Sequence, residues 1–308
     1  MRSSHMMLFP AIFLLFMISS CGTTPDKARM DLQKMNVAYD NNTFVGKSDE
    51  GDAEAVKLFL DAGIDPNVTD GEGETALVAA AKSGRREVAE LLLAGGADIN
   101  GKDGKSGGTP LVWAALNGHT DTVRLLLSKG ADRNARENNN GMTALHAAAF
   151  KGHAGTVSVL LDDGVDIEIR DNHGRTPLIW ASRGGDAKTV TLLLNRGADL
   201  EAAEEEYGQS ALIAAAMMGH TEAEMLLLDR GAKIGKTDKN GKTPLMWAAQ
   251  YGRAKTVELL LERGAKADAK DSKGRTAMWW TRKIKRKETR GKTREALRKA
   301  GAAAEKDI

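Results

Sequence analysis

The sequence predicts an all-α solenoid built from about eight helix-turn-helix units. The phrase TPLVWAALNGH, residues 109–119, returns 67 residues later as TPLIWASRGGD and after another 67 residues as TPLMWAAQYGR. Glycines recur in register with half of that interval. Aromatic residues make up only 5% of the chain, so alanine, leucine and glycine must build most of the interior. These observations favour a thin, repetitive core over a single thick one.

The first element is a secretory signal peptide over residues 1–20. Residues 8–18, LFPAIFLLFMI, are apolar, follow Arg2 and are too few to span a bilayer. The next residues, ISSC, resemble the bacterial lipoprotein box, and Cys21 is the single cysteine of the chain. The resemblance implies cleavage before Cys21, lipid on its sulfur and new amino group, and sorting to the outer membrane because Gly22 follows. An ordinary signal peptide with an incidental cysteine is the alternative.

Residues 21–41 are expected to form a lipidated N-terminus and a tether. Within them Thr24 is a potential helix N-cap with Pro25 at the first helical position, which predicts one short helix. The packed array is expected to begin at residue 42.

Three ladders of glycine follow, and together they hold 22 of the 33 glycines. The first ends an apolar helix in the left-handed region: Gly63, Gly96, Gly130, Gly164, Gly197, Gly231, Gly264 and Gly301. The second marks a tight turn: Gly73, Gly107, Gly141, Gly174, Gly208, Gly241 and Gly274. The third separates two short helices: Gly51, Gly84, Gly118, Gly152, Gly185, Gly219 and Gly252. Most of the glycine is therefore architectural.

A hydroxyl residue precedes each first helix, where it can cap the helix N-terminus: Thr75, Thr109, Thr143, Thr176, Ser210, Thr243 and Thr276. Each unit is thus a turn, a short helix, a glycine, a second helix and another glycine. This pattern resembles the ankyrin repeat, which implies an all-α ankyrin-repeat solenoid with β-hairpin-like fingers. The resemblance covers residues 42–302, with units near 42–74, 75–108, 109–142, 143–175, 176–209, 210–242, 243–275 and 276–302, and leaves 303–308 as a tail.

Several units depart from the family pattern. Only His146 keeps the usual histidine of the first helix, and three turns carry one extra residue, in GKDGKSGG, ARENNNGM and AAEEEYGQ. Those fingers are expected to differ in reach. In the last unit Lys285 replaces the glycine between the helices, and both helices are expected to be longer.

Tryptophan alternates with alanine at one position of the first helix. Trp113, Trp180 and Trp247 are each four residues after the capping threonine, whereas the intervening units have alanine: Ala79, Ala147 and Ala214. Large and small side chains could interdigitate along the stack. The alternative is a row of aromatic anchors for a partner.

The two positions before the inter-helix glycine predict a partner-binding surface. The resemblance places them at the rim of the concave face, and they hold Leu116, Phe150, Met217, Met218 and Tyr251. Apolar residues there are not required by the fold, and an exposed apolar row usually marks a contact surface. Drift on a tolerant surface is the alternative. Such a row suits a protein better than a metabolite.

The segment 282–299 is strongly basic, with ten basic and two acidic residues. Its first part is a candidate basic patch: Arg282, Lys283, Lys285, Arg286, Lys287 and Arg290. It is either a solvated cap on the last unit or a contact for an acidic protein, anionic lipid or anionic envelope polymer. Export disfavours nucleic acid.

The sequence predicts no enzyme, since no catalytic or metal-binding motif is present, and no cofactor. His119, His153 and His220 occupy a repeated Gly-His position and are interpreted as structural. The function predicted from the sequence is a membrane-anchored adaptor or inhibitor in the bacterial periplasm, binding a protein on its concave face. The alternative is an envelope structural protein whose basic C-terminal cap binds anionic lipid or polymer.

Overall fold

The computed structural model describes residues 23–299. The predicted signal peptide, Cys21, Gly301 and the predicted tail at 303–308 lie outside the described residues. Within 23–299 the chain forms seventeen α-helices. Among the same residues, strand-like pairing within the fingers is limited to isolated antiparallel bridges, Thr69 with Thr75 and Ala203 with Ser210. The predicted all-α class is confirmed.

The helices follow one another with short connections. They are α1 Pro25–Lys34, α2 Asn41–Glu50, α3 Ala53–Asp61, α4 Ala76–Lys82, α5 Arg86–Ala94, α6 Pro110–Leu116, α7 Thr120–Ser128, α8 Ala144–Lys151, α9 Ala154–Asp162, α10 Pro177–Gly184, α11 Ala187–Asn195, α12 Ala211–Met218, α13 Thr221–Asp229, α14 Pro244–Tyr251, α15 Ala254–Glu262, α16 Ala277–Trp280 and α17 Lys287–Lys299. From α2 onward they form eight consecutive pairs, which we number units 1 to 8.

The pairs stack in two layers. First helices contact first helices along the series α2, α4, α6, α8, α10, α12, α14 and α16, and second helices contact second helices from α3 to α17. Helices of seven to nine residues are unstable alone, so this stacking supplies the apolar contacts that hold them. Fully buried leucines lie between the layers, among them Leu111, Leu145, Leu178 and Leu193.

The predicted caps and glycine ladders are present. At Thr75, Thr109, Thr176, Ser210, Thr243 and Thr276 the hydroxyl accepts the N–H three residues further on. All 21 ladder glycines within 23–299 have positive φ, between 67° and 94°. Side chains rarely adopt this left-handed region, which explains why glycine recurs there.

His146 shows what the usual histidine contributes. Its Nδ1 accepts the Thr143 N–H at 3.2 Å, and its Nε2 donates to the Ile169 carbonyl at 2.9 Å. Burial lowers the pKa of His146 to about 4, so the ring is neutral and can accept at Nδ1. Units 2, 3 and 5 to 8 have apolar residues at this position and rely on the hydroxyl cap alone.

A backbone hydrogen bond closes the base of each finger. In the shorter fingers it joins residues four apart, as from the Asp171 N–H to the Arg175 carbonyl, whereas in the three longer fingers it joins residues five apart, as from Asp103 to Gly108. Neighbouring fingers are also linked, for example by the Gly104 N–H to the Gly73 carbonyl at 2.8 Å. The longer turns predicted from the sequence are therefore present, and the row of fingers is continuous.

The N-terminal segment differs from the predicted tether. The helix that Thr24 and Pro25 predict is present, but α1 packs on α3 and fully buries Leu32. The Thr23 hydroxyl also donates to Asp61 at 3.3 Å. Residues 25–34 therefore act as an extra second-layer helix that covers the apolar side of unit 1, because that side would otherwise face water.

The last unit differs from the expectation of two longer helices. Its first helix, α16, has only four residues and continues as a 3₁₀ turn, Thr281–Lys283, whereas α17 has thirteen residues. Without the inter-helix glycine, the chain leaves α16 early, and Ile284 becomes buried at the connection. The longer α17 contacts α15 and fully buries Leu297.

Among residues 23–299, no helix is both long and apolar enough to cross a membrane.

Candidate partner-binding face

The first helices and the fingers form one face of the array, which we call the finger-side face. A carboxylate in each finger shapes its turn. Asp171 Oδ1 accepts the N–H groups of His173 and Arg175, both at 2.9 Å, and Asp238 Oδ1 accepts those of Asn240 and Lys242, both at 2.8 Å. These hydrogen bonds hold the turn and leave the second carboxylate oxygen, Oδ2, free for a side chain.

Tryptophan supplies that side chain in four units. The indole N–H of Trp113 donates to Asp103 Oδ2 at 2.8 Å, and the same bond joins Trp180 to Asp171 at 3.0 Å. The remaining pairs are Trp247 with Asp238 at 3.0 Å and Trp280 with Asp271 at 3.1 Å. Each tryptophan therefore fastens its helix to the preceding finger.

This bond makes the packing interpretation of the tryptophans incomplete. Ala79, Ala147 and Ala214 are buried, as interdigitation requires, yet the bonded partner of each indole is a finger carboxylate. The sequence interpretation also missed Trp280. Trp280 lies four residues after Thr276, the same spacing as in the other tryptophan units, and this spacing could have identified it. It breaks the two-repeat interval, however, because it follows Trp247 by one repeat instead of two.

The predicted rim residues differ in exposure. Leu116, Phe150 and Met217 are half-buried, whereas Met218 and Tyr251 are 38% and 46% exposed. Phe150 packs edge-on against Trp180, with ring centroids 5.3 Å apart, and Tyr251 stacks on Trp247 at 5.9 Å. Phe150 and Tyr251 are therefore the predicted rim residues that contact tryptophans of the first helices.

Cations lie between the aromatic rings. The Lys242 ammonium is 3.3 Å from the Trp247 ring centroid and 3.7 Å from that of Trp280. The Arg275 guanidinium is 4.2 Å from Trp280 and 4.7 Å from Trp279. Such contacts contribute about 0.5–2 kcal/mol each, with the larger values at desolvated sites.

The same arrangement continues in unit 5. The guanidinium carbons of Arg175 and Arg183 lie 4.6 Å and 5.6 Å from the Trp180 ring centroid. We call the whole set the aromatic-cation row, defined by Phe150, Arg175, Trp180, Arg183, Lys242, Trp247, Tyr251, Arg275, Trp279 and Trp280. It extends over units 4 to 8, whereas Trp113 in unit 3 lies outside it.

Two ionisable groups on this face have strongly shifted pKa values. Burial lowers the pKa of Lys242 to about 8, with Arg275 acting in the same direction and Asp238 and Asp271 opposing, so the ammonium is mostly charged at neutral pH. Burial opposes ionisation of Asp103, but hydrogen bonds from the Ser106 N–H and the Trp113 indole outweigh it and lower the pKa of Asp103 to about 2.

The basic patch lies at the end of the array, in the connection after α16 and the start of α17. Lys283, Lys285, Arg286 and Lys287 are exposed, and Arg282 and Arg290 are half-buried. This distribution makes the patch accessible to an anionic surface.

The Gly-His histidines are structural, as predicted. Each donates from Nε2 to a carbonyl of the preceding unit: His119 to Lys82 at 3.0 Å, His153 to Leu116 at 3.1 Å and His220 to Arg183 at 3.0 Å. Within 23–299, no three His, Cys, Asp or Glu side chains are grouped so as to hold a metal ion.

Comparisons with known proteins agree with this architecture. A family model described as "Ankyrin repeats (3 copies)" matches residues 46–137, 132–204 and 201–271. The crystal structure of the human ASB11 ankyrin repeat domain superposes with a TM-score of 0.65 at 28% sequence identity, covering 72% of this chain and 98% of that domain. Serine/threonine-protein kinase 12 from Arabidopsis thaliana is 45% identical over 56 residues, which are 18% of this chain and 12% of the kinase. That match lies within the repeats.

Proposed function

Because this chain belongs to the ankyrin-repeat family, we propose that it is a lipid-anchored adaptor or inhibitor that holds a protein partner on its finger-side face in the bacterial periplasm. Ankyrin repeats are protein-protein interaction modules and are generally non-catalytic scaffolds. The observation that carries the proposal is the aromatic-cation row, in which Tyr251 is 46% exposed, together with Met218 of unit 6, which is 38% exposed.

The dimensions and chemistry of the row favour a protein partner. Stacked helices lie about 8–10 Å apart, so the four spacings between five units span about 32–40 Å. Protein interfaces are enriched in tryptophan, tyrosine, methionine and arginine, the residue types that occur here. A small metabolite would use only a fraction of such a surface.

The proposed anchor rests on the sequence around Cys21. The N-cap Thr24 already belongs to the packed array, so Gly22 and Thr23 alone would separate a lipidated Cys21 from it. Extended residues span at most about 3.6 Å each, and the first unit would therefore lie within about 10 Å of the lipid attachment. The repeats would begin at the membrane surface, without a long spacer.

Replacement of the cysteine tests the anchor. In Cys21→Ser, the protein should remain unprocessed or leave the membrane fraction, and the acyl mass on the N-terminal tryptic peptide should be absent. Wild-type membrane partitioning by a Cys21→Ser protein that has lost residues 1–20 would contradict the lipid anchor. It would leave the proposed binding face unaffected.

Site-specific cross-linking tests the binding face. A photoreactive amino acid at Tyr251 should give one stoichiometric adduct with a co-purifying protein in detergent extracts. The matched control is the same amino acid at Glu90, which is exposed on the second-layer helix α5. Equal adducts from both positions, or an adduct from Glu90 alone, would show that the partner binds elsewhere.

A second candidate function is supported by the exposed basic patch. An envelope structural protein could hold anionic lipid or polymer through Lys283, Lys285, Arg286 and Lys287. Sedimentation with wall or lipid material that is lost between about 50 and 300 mM salt would favour this candidate, because salt screens exposed charges. A salt-resistant, stoichiometric protein complex would favour the first.

A further inference from the structure

The two parts of the array carry opposite charge. Residues 23–232 hold 21 basic and 33 acidic residues, a net of −12, whereas residues 233–299 hold 21 basic and 7 acidic residues, a net of +14. The overall charge of +2 conceals this polarity. Units 7 and 8, with the finger before unit 7, therefore attract an anionic partner.

Two carboxylates of the row are buried and already paired inside it. Asp171 and Asp271 lie fully buried under the tryptophans, where they accept the indole N–H groups and form ion pairs with Arg175 at 3.1 Å and Arg275 at 2.8 Å. The side chains of Arg175 and Arg275 remain 14% and 22% exposed. The row thus keeps its carboxylates inside, while Arg183, Trp247, Trp279 and Tyr251 remain partly or largely exposed.

Arg183 is a half-buried cation of the row that, unlike Arg175 and Arg275, makes no ion pair among the described residues. Its half-buried guanidinium lies at a cleft of about 190 Å³ that Arg175, Tyr207 and Met217 also line. Burial lowers the pKa of Arg183, and the neighbouring Arg175 lowers it further. Among the described residues, no carboxylate lies within ion-pairing distance of Arg183. A carboxylate from outside could bind the guanidinium fork in bidentate geometry and offset its lost hydration.

The other carboxylates at the cleft are engaged. Glu204 accepts the N–H groups of Glu206, Tyr207 and Gln209 in its own finger, and the Glu206 side chain pairs with His173 at 3.0 Å. Glu205 and Glu206 nevertheless make this finger tip acidic. An anionic partner is repelled from that tip and directed from Arg183 toward units 7 and 8.

Apolar side chains flank the same cleft. Met217 lines it, and Met218 and Tyr251 are exposed beside it on the neighbouring units. Anionic polymer or lipid head groups would use the cations and leave this apolar surface in water. An acidic protein segment with apolar side chains would bury it.

We infer that the finger-side face of units 5 to 8 binds an acidic protein segment in which carboxylates alternate with apolar side chains, and that Arg183 receives one of those carboxylates. The inference deepens the proposed function and rests on it.

Selection from a random twelve-residue peptide library on the full chain in detergent tests this. Selected sequences should be rich in Asp and Glu interspersed with Leu, Phe or Met. Their affinity should fall at least tenfold in Arg183→Gln, and no more than twofold in Arg196→Gln. Arg196 is the matched control, since it lies in the same unit at the end of α11 and pairs with Asp162 at 2.9 Å.

Three results would overturn the inference. The first is that the library yields neutral or basic peptides, or no peptide. The second is that acidic peptides bind Arg183→Gln and wild type with equal affinity. The third is that no peptide is selected and phosphatidylglycerol vesicles bind in a way that depends on Arg183. The last would assign the face to lipid. If a partner protein cross-links through Tyr251 but binds the Arg183→Gln variant as tightly as wild type, the proposed function would stand. The inferred role of Arg183 and of an acidic partner segment would be wrong.

Discussion

Trp113 and Trp180 begin from nearly the same sequence, TPLVWAA and TPLIWAS, and make the same hydrogen bond to a finger carboxylate. Their surroundings differ. Trp113 is half-buried, with the Lys82 ammonium 5.3 Å from its ring, whereas Trp180 is 7% exposed and contacts Phe150, Arg175 and Arg183. The repeat motif therefore places the tryptophan, and residues outside the motif decide whether it joins the row.

Truncation of the two tryptophans should show the largest difference. Trp180→Ala is expected to cost about 3–5 kcal/mol of unfolding free energy, the range for a large aromatic side chain in a core. Trp113→Ala should cost about half of that, because the ring buries less area. Urea unfolding of both variants measures the difference, and equal losses would show that the added contacts around Trp180 contribute nothing.

The second-layer helix of unit 6 offers the next test, since unit 6 lies between the two halves of the row. Glu224 replaces the buried valine of units 3, 4, 5 and 7, and its Oε1 accepts the Thr256 hydroxyl at 2.9 Å. Burial raises the pKa of Glu224 from 4.5 to about 7, with the Thr256 hydrogen bond opposing. Between about pH 4.5 and pH 7, Glu224 therefore stays protonated in the folded state but has lost its proton in the unfolded state.

Stability should accordingly fall as the pH rises from about 4.5 to 7 and stay reduced above that, by an amount on the order of 3 kcal/mol. Glu224→Gln should remove this pH dependence, and Glu224→Val, which restores the residue of the other units, should do the same. Unfolding curves at several pH values measure it. Parallel profiles for wild type and both variants would exclude Glu224 as the origin.

Replacing a finger carboxylate should destabilise a unit that contains tryptophan more than a unit that lacks it, with a smaller effect than the changes above. Asp103→Asn weakens the turn and the bond to Trp113, and should cost about 1–3 kcal/mol, as for hydrogen bonds to charged groups. Asp70→Asn is the control, because within the described part of the chain the Asp70 carboxylate accepts only the N–H groups of Glu72 and Glu74. It should cost less at neutral pH.

Because the pKa of Asp103 is lowered to about 2, its contribution is complete above about pH 3.8 and is lost as the pH falls toward 2. The Asp103→Asn variant should therefore differ least from wild type near pH 2. A constant difference down to that pH would show that the charge of Asp103 is not involved.

The smallest effect on stability is expected at Tyr251. Its side chain is 46% exposed, and Tyr251→Ser should change the unfolding free energy by no more than about 0.5 kcal/mol. Phe150→Ser should cost more, because Phe150 is half-buried against Trp180. If Tyr251→Ser binds the proposed partner within twofold of wild type, the exposed tyrosine of the row is not an anchor.

The sequence predicts those features that repeat along the chain. Every capping hydroxyl and ladder glycine within 23–299 could be placed from its interval, because left-handed backbone and helix N-termini restrict the residue type locally. The contacts of Lys242 and Arg275 could not, since Lys242 joins tryptophans of two different units and both contacts depend on side-chain directions in three dimensions. The α1 helix was placed correctly, but its packing on α3 has no counterpart elsewhere in the repeats.

The hydrogen bonds between neighbouring finger tips bear on the thermodynamics of association. Six of them link consecutive fingers, from Gly73 with Gly104 to Asn240 with Ser272. Loops that are ordered only on binding reduce affinity through lost conformational entropy. Here the loops are fixed to one another before any partner arrives, so the face is preorganised. Association should proceed with little loss of backbone entropy, and small differences in side-chain complementarity should then translate directly into affinity.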